Sequence, residues 1–243
     1  MSSSRARTRD RRKARERQTQ RNRQLLLLVL VVILAVLAVV VYVITSQPVE
    51  APVSEQSVTS YADIPQSVTA EGFPLLGNPD APVQVSEFSS FDCPHCGVFY
   101  QDVTPMLIAR AGAGEVAFTY LPLYGTGGIA NGQGAARAAL CAGEQDAFWV
   151  YHGALFDWQQ TYGNQAYASN RLRSGILNLD LDADEWDACM NSDRPDQVLR
   201  EANILASRTE GMRGTPTVLV NGQIVNPTLA EVEAAVLAVL TAG

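Results

Sequence analysis

The sequence has 243 residues and a formal net charge of −7, from 18 basic and 25 acidic side chains. This average conceals two charge regimes. Residues 1–24 carry ten basic and two acidic side chains, whereas the remaining 219 residues carry eight basic and 23 acidic ones. The acidic bulk argues against a nucleic-acid-binding protein. A hydrophobic content of 47% excludes a chain that is disordered throughout.

The two charge regimes meet at an apolar segment, residues 25–44, which has no charged residue, Pro or Gly. As a helix rising about 1.5 Å per residue it would be roughly 30 Å long, the thickness of the hydrocarbon core of a bilayer. It predicts a transmembrane signal anchor. The alternative is a cleaved signal peptide, but residues 43–47 lack the small-residue cleavage site of such peptides. The basic residues 1–24 then predict a cytoplasmic tail, and the acidic bulk is expected on the outer face.

Residues 45–71 are rich in Ser and Pro and show no helical apolar pattern. They predict a flexible spacer that holds a folded domain away from the membrane. The 172 residues from 72 to 243 suffice for a single hydrophobic core.

Strand and helix signals alternate along this folded domain. Strands are predicted at residues 82–88 and 116–121, and a hairpin at 217–225 with Asn221 and Gly222 at its turn. Helices are predicted from the first strand to about residue 111, through an insert from about 129 to 208, and after residue 228 at the C-terminus. The order β-α-β, helical insert, β-β-α predicts an α/β fold.

Two cysteines lie at the predicted junction of the first strand and the helix that follows it, in the motif Cys93-Pro94-His95-Cys96. The unpaired N–H groups and the dipole of a helix N-terminus stabilise a thiolate there. His95 can add a charge or a donor, and Pro94 suits the first helical turn. Because a stabilised thiolate favours the reduced form, it makes the disulfide a stronger oxidant. The alternatives are half of a zinc site, which needs two more ligands, and an inert structural disulfide.

A second motif, Gly214-Thr215-Pro216-Thr217, precedes the predicted hairpin. A C-x-x-C motif at the start of a helix, followed by Thr-Pro before a β-hairpin, resembles the thioredoxin superfamily. The helical insert and the Cys-Pro-His-Cys choice make the chain similar to the DsbA-like thiol–disulfide oxidoreductases. The resemblance covers about residues 73–240. It implies that residues 72–243 form a thioredoxin-like α/β fold with a helical insertion. The apolar segment 25–44 adds one N-terminal transmembrane helix before it.

The resemblance also implies roles for single residues. Pro216, after Thr215, corresponds to a cis proline that packs against the active disulfide. Glu87 shares the apolar face of the first strand, where a carboxylate is costly, and the resemblance implies a buried carboxyl that relays a proton to Cys96. A sheet-edge residue that reaches water is the alternative for Glu87. Asp92, next to the first cysteine of the motif, is expected to be an exposed loop acid.

Two further cysteines, Cys141 and Cys189, lie in predicted helices of the insert. On the oxidising side of a membrane, an even number of cysteines suggests a structural disulfide between them. Some DsbA-like proteins have an equivalent second bridge. The alternative is a pair of free thiols.

The resemblance implies an extracytoplasmic enzyme that oxidises cysteine pairs of unfolded exported proteins, with Cys93 forming the mixed disulfide. It implies no metal or organic cofactor. A membrane partner of DsbB or VKOR type would reoxidise the Cys93–Cys96 pair. Thr215 departs from the Val of the best-known oxidases, so a disulfide reductase or isomerase remains an alternative. A non-catalytic metal- or client-binding module is the alternative from a different class.

Overall fold

The computed structural model describes the backbone of residues 3–242 and the side chains of residues 20–43 and 47–242. It divides into two units, Met1–Gln47 and Pro48–Gly243. The first unit is a single helix, α1, Ser3–Ser46. Its stretch Gln20–Val43 contains an 18-residue window with a mean hydropathy of 3.5, and it is long and apolar enough to cross a membrane. The charge of the predicted cytoplasmic tail rests mainly on side chains before residue 20, which lie outside the described residues.

The second unit is built on one mixed sheet. Its strands run in the spatial order β1-β2-β4-β3-β5-β6, with β3 and β4 parallel and every other neighbouring pair antiparallel. The parallel register sets Glu87 opposite Tyr120. The strands are β1 Gln66–Val68, β2 Pro74–Leu76, β3 Val83–Ser90, β4 Val116–Leu123, β5 Thr217–Val220 and β6 Gln223–Val225.

Helices cover this sheet, and five of them form the predicted insert between β4 and β5. Helices α3 and α4 connect the parallel strands β3 and β4, as a crossover connection must. The α/β fold with a helical insertion is therefore confirmed. The helices of this unit are α2 Glu55–Tyr61, α3 Pro94–Asp102, α4 Thr104–Gly112, α5 Gly132–Gly143, α6 Phe148–Tyr162, α7 Ser169–Asn178, α8 Ala183–Met190, α9 Arg194–Arg208 and α10 Leu229–Ala242.

The β5–β6 hairpin turns at Asn221 and Gly222, as the sequence predicts. Both residues have positive φ, 45° and 80°, which a two-residue type I′ turn requires. Asn221 also fixes the hairpin to β3, because its side-chain Oδ1 accepts from the N–H of Gln84 at 2.7 Å and its own N–H donates to the Gln84 carbonyl at 2.8 Å. The hairpin thereby holds the preceding Thr215-Pro216 segment close to the end of β3.

The prediction of a flexible spacer over residues 45–71 is wrong for much of that segment. It contains α2 and β1, and Ala51 and Tyr61 are buried, with 2% and 1% exposure. Side chains of α6 and α7 order the stretch before α2 by hydrogen bonding its backbone, which no local pattern could reveal. Ser174 Oγ accepts from the Val49 N–H at 3.2 Å, and Arg171 Nε donates to the Glu50 carbonyl at 2.8 Å. Asn178 Nδ2 donates to the Ala51 carbonyl and Trp158 Nε1 to the Pro52 carbonyl, each at 2.7 Å.

One large hydrophobic cluster joins the sheet to the insert. The insert contributes large aromatic side chains to it, and each of these is at most 4% exposed. The face of the sheet that carries Glu87 and the first turn of α3 are thus covered by the insert. The aromatic side chains are Phe148, Trp149, Tyr151, Phe156 and Trp158.

Candidate active site

The Cys93–Cys96 pair lies at the strand-to-helix junction that the sequence predicts. Strand β3 ends at Ser90, and α3 begins at Pro94 with Cys93 as its N-cap in an extended conformation, φ −96° and ψ 115°. The Cys93 carbonyl accepts from the Cys96 N–H at 3.1 Å. Both cysteines are free thiols, 3% and 0% exposed. The first sulfur therefore lies where the free N–H groups of α3 converge.

The two thiols have opposite pKa shifts. A hydrogen bond from the Cys96 side chain, above all, lowers the pKa of Cys93 from 9.0 to about 5, and it outweighs the opposing effect of burial. The Thr215 side chain and the backbone N–H groups of Cys96 and His95 make smaller contributions to the same lowering. Burial, together with the hydrogen bond that Cys96 donates, raises the pKa of Cys96 far above its ordinary value. At neutral pH the reduced pair therefore consists of one thiolate and one thiol.

Glu87 lies on β3 with 2% exposure, among the central strands of the sheet. The position excludes the alternative of a sheet-edge residue that reaches water. Burial, with a smaller contribution from the negative charge of Cys93, raises the pKa of Glu87 from 4.5 to about 8. The Glu87 charge in turn contributes to the raised pKa of Cys96. Glu87 and Cys96 are thus coupled buried acids, and at neutral pH both hold their protons.

The Thr215–Pro216 segment packs against the first cysteine. The peptide bond between these residues is cis. The Cys93 sulfur lies 3.4 Å from the Thr215 carbonyl oxygen, to which Cys93 can donate when it is protonated. β5 begins at Thr217, whose Oγ1 donates to the Gly214 carbonyl at 2.6 Å. The two motifs, 122 residues apart in sequence, thus meet at Cys93.

Asp92 is not the exposed loop acid that the sequence suggested, because it is only 4% exposed. Its carboxylate accepts from the backbone N–H groups of Gly125 and Gly127 at 2.6 and 3.3 Å, and from the Ser90 hydroxyl. Its carbonyl accepts from the Ile129 N–H at 3.3 Å. The loop after β4 folds over Asp92, since its N–H groups find their acceptor there.

The insert supplies residues that sequence reasoning missed. Gln159 Nε2 donates to the carbonyls of Phe91 and Cys93 at 2.5 and 3.1 Å, and Tyr167 Oη donates to the Phe91 carbonyl at 2.7 Å. A Cβ added at Gly97 would overlap the side-chain amide of Gln159. The glycine directly after the motif was the one available signal that another element approaches α3 closely.

Pro94 and His95, between the two cysteines, are exposed. Pro94 occupies the first turn of α3, as predicted. His95 acts on Cys93 through its backbone N–H, whereas the sequence had directed attention to its ring. Among the described residues, no group of three or more His, Cys, Asp or Glu side chains is arranged to hold a metal ion.

The remaining cysteines form a disulfide in the structure. Cys141 on α5 and Cys189 on α8 are joined with 5.6 Å between their Cα atoms, and both are buried. Trp186 connects the same two helices, because its Nε1 donates to the Ala138 carbonyl at 3.1 Å. The Cys141–Cys189 pair lies among apolar side chains of the insert. It does not share the contacts that the Cys93–Cys96 pair makes with Thr215 and Asp92.

Comparisons with known proteins agree on the family to which this chain is similar. A family model described as Thioredoxin matches residues 69–238. Disulfide bond formation protein D of Bacillus subtilis is 28% identical over 171 residues, covering 64% of this chain and 70% of that protein. A putative protein-disulfide oxidoreductase of Rickettsia typhi is 28% identical over 153 residues, covering 61% of this chain and 54% of that protein.

Solved structures show the same fold. The structure of oxidised BdbD from Bacillus subtilis superposes with a TM-score of 0.62 at 24% identity, covering 74% of this chain and 99% of that chain. DsbA from Chlamydia trachomatis gives a TM-score of 0.61 at 24% identity, covering 72% and 95%. In this set the arrangement of strands and helices is shared, although three residues in four differ.

Proposed function

The chain belongs to the thioredoxin family and is a DsbA-like protein thiol–disulfide oxidoreductase, and on that premise we propose that it oxidises cysteine pairs of exported proteins. The observation that carries the direction of electron flow is the unequal dithiol. The pKa of Cys93 is lowered to about 5 while that of Cys96 is raised. A thiolate stabilised in the reduced enzyme makes the disulfide easier to reduce, so the oxidised enzyme is a strong oxidant.

The proposed reaction moves two electrons from a client to the enzyme; one proton ends on Cys96, and the other is released to solvent because Cys93 stays a thiolate. A client thiolate attacks Cys93 of the oxidised pair, the Cys93–Cys96 bond breaks, and Cys96 leaves with the electron pair and takes up a proton. The second client thiolate then attacks the client sulfur of the mixed disulfide, and Cys93 leaves as a thiolate. The slight exposure of Cys93, against none for Cys96, supports attack at Cys93. Its low pKa makes it the better leaving group in the second step.

Glu87 is proposed as the group that exchanges a proton with Cys96. It is buried with the dithiol, and its pKa of about 8 leaves it protonated at neutral pH. It can therefore supply a proton when Cys96 leaves as a thiolate. With a pKa of about 8, a fraction of Glu87 is ionised at neutral pH, and this carboxylate can accept the Cys96 proton when Cys96 attacks Cys93 during reoxidation. Pro216, whose segment packs against Cys93, is proposed to shape the face on which the client binds.

We further propose that the catalytic domain works at the outer face of a cell membrane, anchored by residues 25–44, with the N-terminus in the cytoplasm. The apolar part of α1 and the basic residues before it support this topology. Reoxidation by a membrane protein of DsbB or VKOR type fits this location, and the only redox group required of this chain is its own disulfide. A disulfide reductase or isomerase is the second candidate, because Thr215 places a hydroxyl beside Cys93.

Two single-cysteine variants of the full-length chain, purified in detergent, test this function with a reduced, unfolded client. Cys93→Ser removes the attacked sulfur and should abolish client oxidation. Cys96→Ser keeps Cys93, which is first oxidised to its mixed disulfide with glutathione. Attack of a client thiolate on the Cys93 sulfur should then release reduced glutathione and give a mixed disulfide between Cys93 and the client that is visible on a non-reducing gel. Client oxidation at the normal rate by Cys93→Ser, or a mixed disulfide formed through Cys96 instead, would overturn the mechanism.

A further inference from the structure

We propose that Thr126 is a positioning residue for the active-site thiolate, acting through Thr215 and held in place by Asp92. The inference rests on the proposed thiol–disulfide function and adds a residue from the loop between β4 and α5. This loop contains the sequence Tyr124-Gly125-Thr126-Gly127-Gly128. It carries no group that could itself react with a disulfide, so its part in the reaction must be indirect.

Asp92 anchors the loop on both sides of Thr126. Its carboxylate accepts from the N–H of Gly125 at 2.6 Å and from the N–H of Gly127 at 3.3 Å. These are the residues directly before and after Thr126. Because Asp92 is 4% exposed and bonds at each flank, it fixes the backbone from which the Thr126 side chain projects.

The loop also lies directly against the active-site backbone. A Cβ added at Gly127 would overlap the Asp92 carbonyl oxygen and lie 2.6 Å from the Cα of Cys93. Only glycine allows this approach. Thr126 is therefore held next to the first cysteine of the motif by backbone contact as well as by the carboxylate.

The Thr126 hydroxyl contacts the residue before the cis proline. Its Oγ1 lies 2.7 Å from Oγ1 of Thr215, and either hydroxyl can donate in that bond. Thr215 in turn contacts the Cys93 sulfur, which lies 3.4 Å from its carbonyl oxygen, and its side chain contributes to the lowered pKa of that thiol. A thiolate has no proton to donate, so in the reduced enzyme the Thr215 hydroxyl must donate to the sulfur.

This requirement sets the direction of the bond between the two threonines. A hydroxyl has one proton, and once Thr215 gives it to the sulfur, the Thr215 oxygen can only accept from Thr126. The chain then runs from the Thr126 O–H to the Thr215 oxygen, and from the Thr215 O–H to the Cys93 sulfur. Each bond in such a chain polarises the next and strengthens it. Thr126 therefore stabilises the thiolate, and with it the reduced enzyme, without touching the sulfur.

The test compares Thr126→Ala with Thr126→Ser in the full-length chain purified in detergent. Two quantities are measured: the equilibrium constant of the Cys93–Cys96 pair with glutathione, and the pH dependence of Cys93 alkylation. Thr126→Ala should make the disulfide about threefold to tenfold less oxidising, a fall of roughly 15 to 30 mV in reduction potential, and should raise the apparent pKa of Cys93. Thr126→Ser retains the hydroxyl and should restore both values.

Thr161→Ala is the matched control, since it removes an exposed hydroxyl on α6 that bonds only within its own helix, to the Asp157 carbonyl. It should change neither quantity. Titratable side chains near the Cys93–Cys96 pair include those of Glu87, Asp92, His95, Tyr120 and Tyr167, and the substitutions at Thr126 and Thr161 alter none of them. An equilibrium constant for Thr126→Ala within twofold of the wild type, or a serine variant that behaves like the alanine variant, would overturn the role of the hydroxyl.

Asp92→Asn separates anchoring from charge by the sign of its effect. If Asp92 acted only through its negative charge, removing that charge would lower the pKa of Cys93. If Asp92 acts by holding the loop, its loss should raise the pKa of Cys93, as Thr126→Ala does. A fall or no change contradicts the anchoring role. The Thr126 and Asp92 variants are each compared with the wild type. Their results therefore test the role of the loop whether or not the wild-type enzyme is an oxidase.

Discussion

The two cysteine pairs of this chain have the same burial and opposite chemistry. All four residues are at most 3% exposed. Cys141 and Cys189 come from two helices of the insert, lie among apolar side chains and are joined to each other. Cys93 and Cys96 are three residues apart on one helix turn, remain thiols, and are surrounded by hydrogen-bonding groups.

This comparison shows that burial alone does not decide whether a cysteine is reactive. Burial raises the pKa of both thiols in the first pair, but only at Cys93 do hydrogen bonds outweigh it. The result is an asymmetric pair whose reduced form is stabilised. The second pair has no such donors in the structure described here, and its bridge instead closes a long loop between α5 and α8. We therefore interpret the first pair as the reagent and the second as a covalent support for the insert.

The largest expected effect comes from removing the supporting bridge. The double variant Cys141→Ala/Cys189→Ala opens a loop with a sequence separation of 48, which corresponds to a loss of up to about 4 kcal/mol in the free energy of unfolding. Urea denaturation measures this loss. Client oxidation by the variant, at a temperature where it remains folded, should stay within about twofold of the wild type. A variant of unchanged stability that has lost activity would reverse the two assignments.

A smaller effect is expected at Glu87, and it depends on pH. Glu87 has its pKa raised from 4.5 to about 8, so between these values the folded state binds more protons than the unfolded state. Its contribution to stability therefore falls as pH rises through this window, by about 1.4 kcal/mol per pH unit at most. Cys93 has its pKa lowered from 9.0 to about 5, so in the reduced protein its contribution rises with pH between those values. The two opposing slopes overlap between about pH 5 and pH 8.

Glu87→Gln removes one of the two slopes. The reduced variant should gain stability over the reduced wild type progressively, by on the order of 1 kcal/mol per pH unit, as pH rises from about 5 to 8. Urea denaturation at several pH values, under reducing conditions, measures the difference. A constant difference across this range would mean that Glu87 ionises normally and cannot serve as the proton partner of Cys96.

A structural feature could be predicted from the sequence where the residues that determine it are neighbours in the chain. The alternating pattern of β3, the Asn221-Gly222 turn and the placement of Cys93 before Pro94 each depend on neighbouring residues, and the structure has all three. The chain order of these signals was enough to predict the α/β architecture with its insert.

What could not be predicted depends on contacts between distant residues. Asp92 looked like an exposed acid because the glycines that bond it lie more than thirty residues away. Gln159 and Tyr167 reach the active-site backbone from the insert, at separations of 66 to 76 residues. The stretch before α2 looked like a spacer because its ordering bonds come from α6 and α7. In each case a polar group forms a hydrogen bond with a residue distant in sequence, which a local sequence pattern cannot predict.

The reduction potential of the asymmetric Cys93–Cys96 pair decides whether this pair is an oxidant. The full-length protein in detergent would be equilibrated with defined ratios of reduced and oxidised glutathione, and the reduced fraction of this pair determined by thiol labelling. A potential near the strongly oxidising value of DsbA, about −120 mV, is the predicted result. A potential near that of thioredoxin, about −270 mV, would contradict it and identify the pair as a reductant.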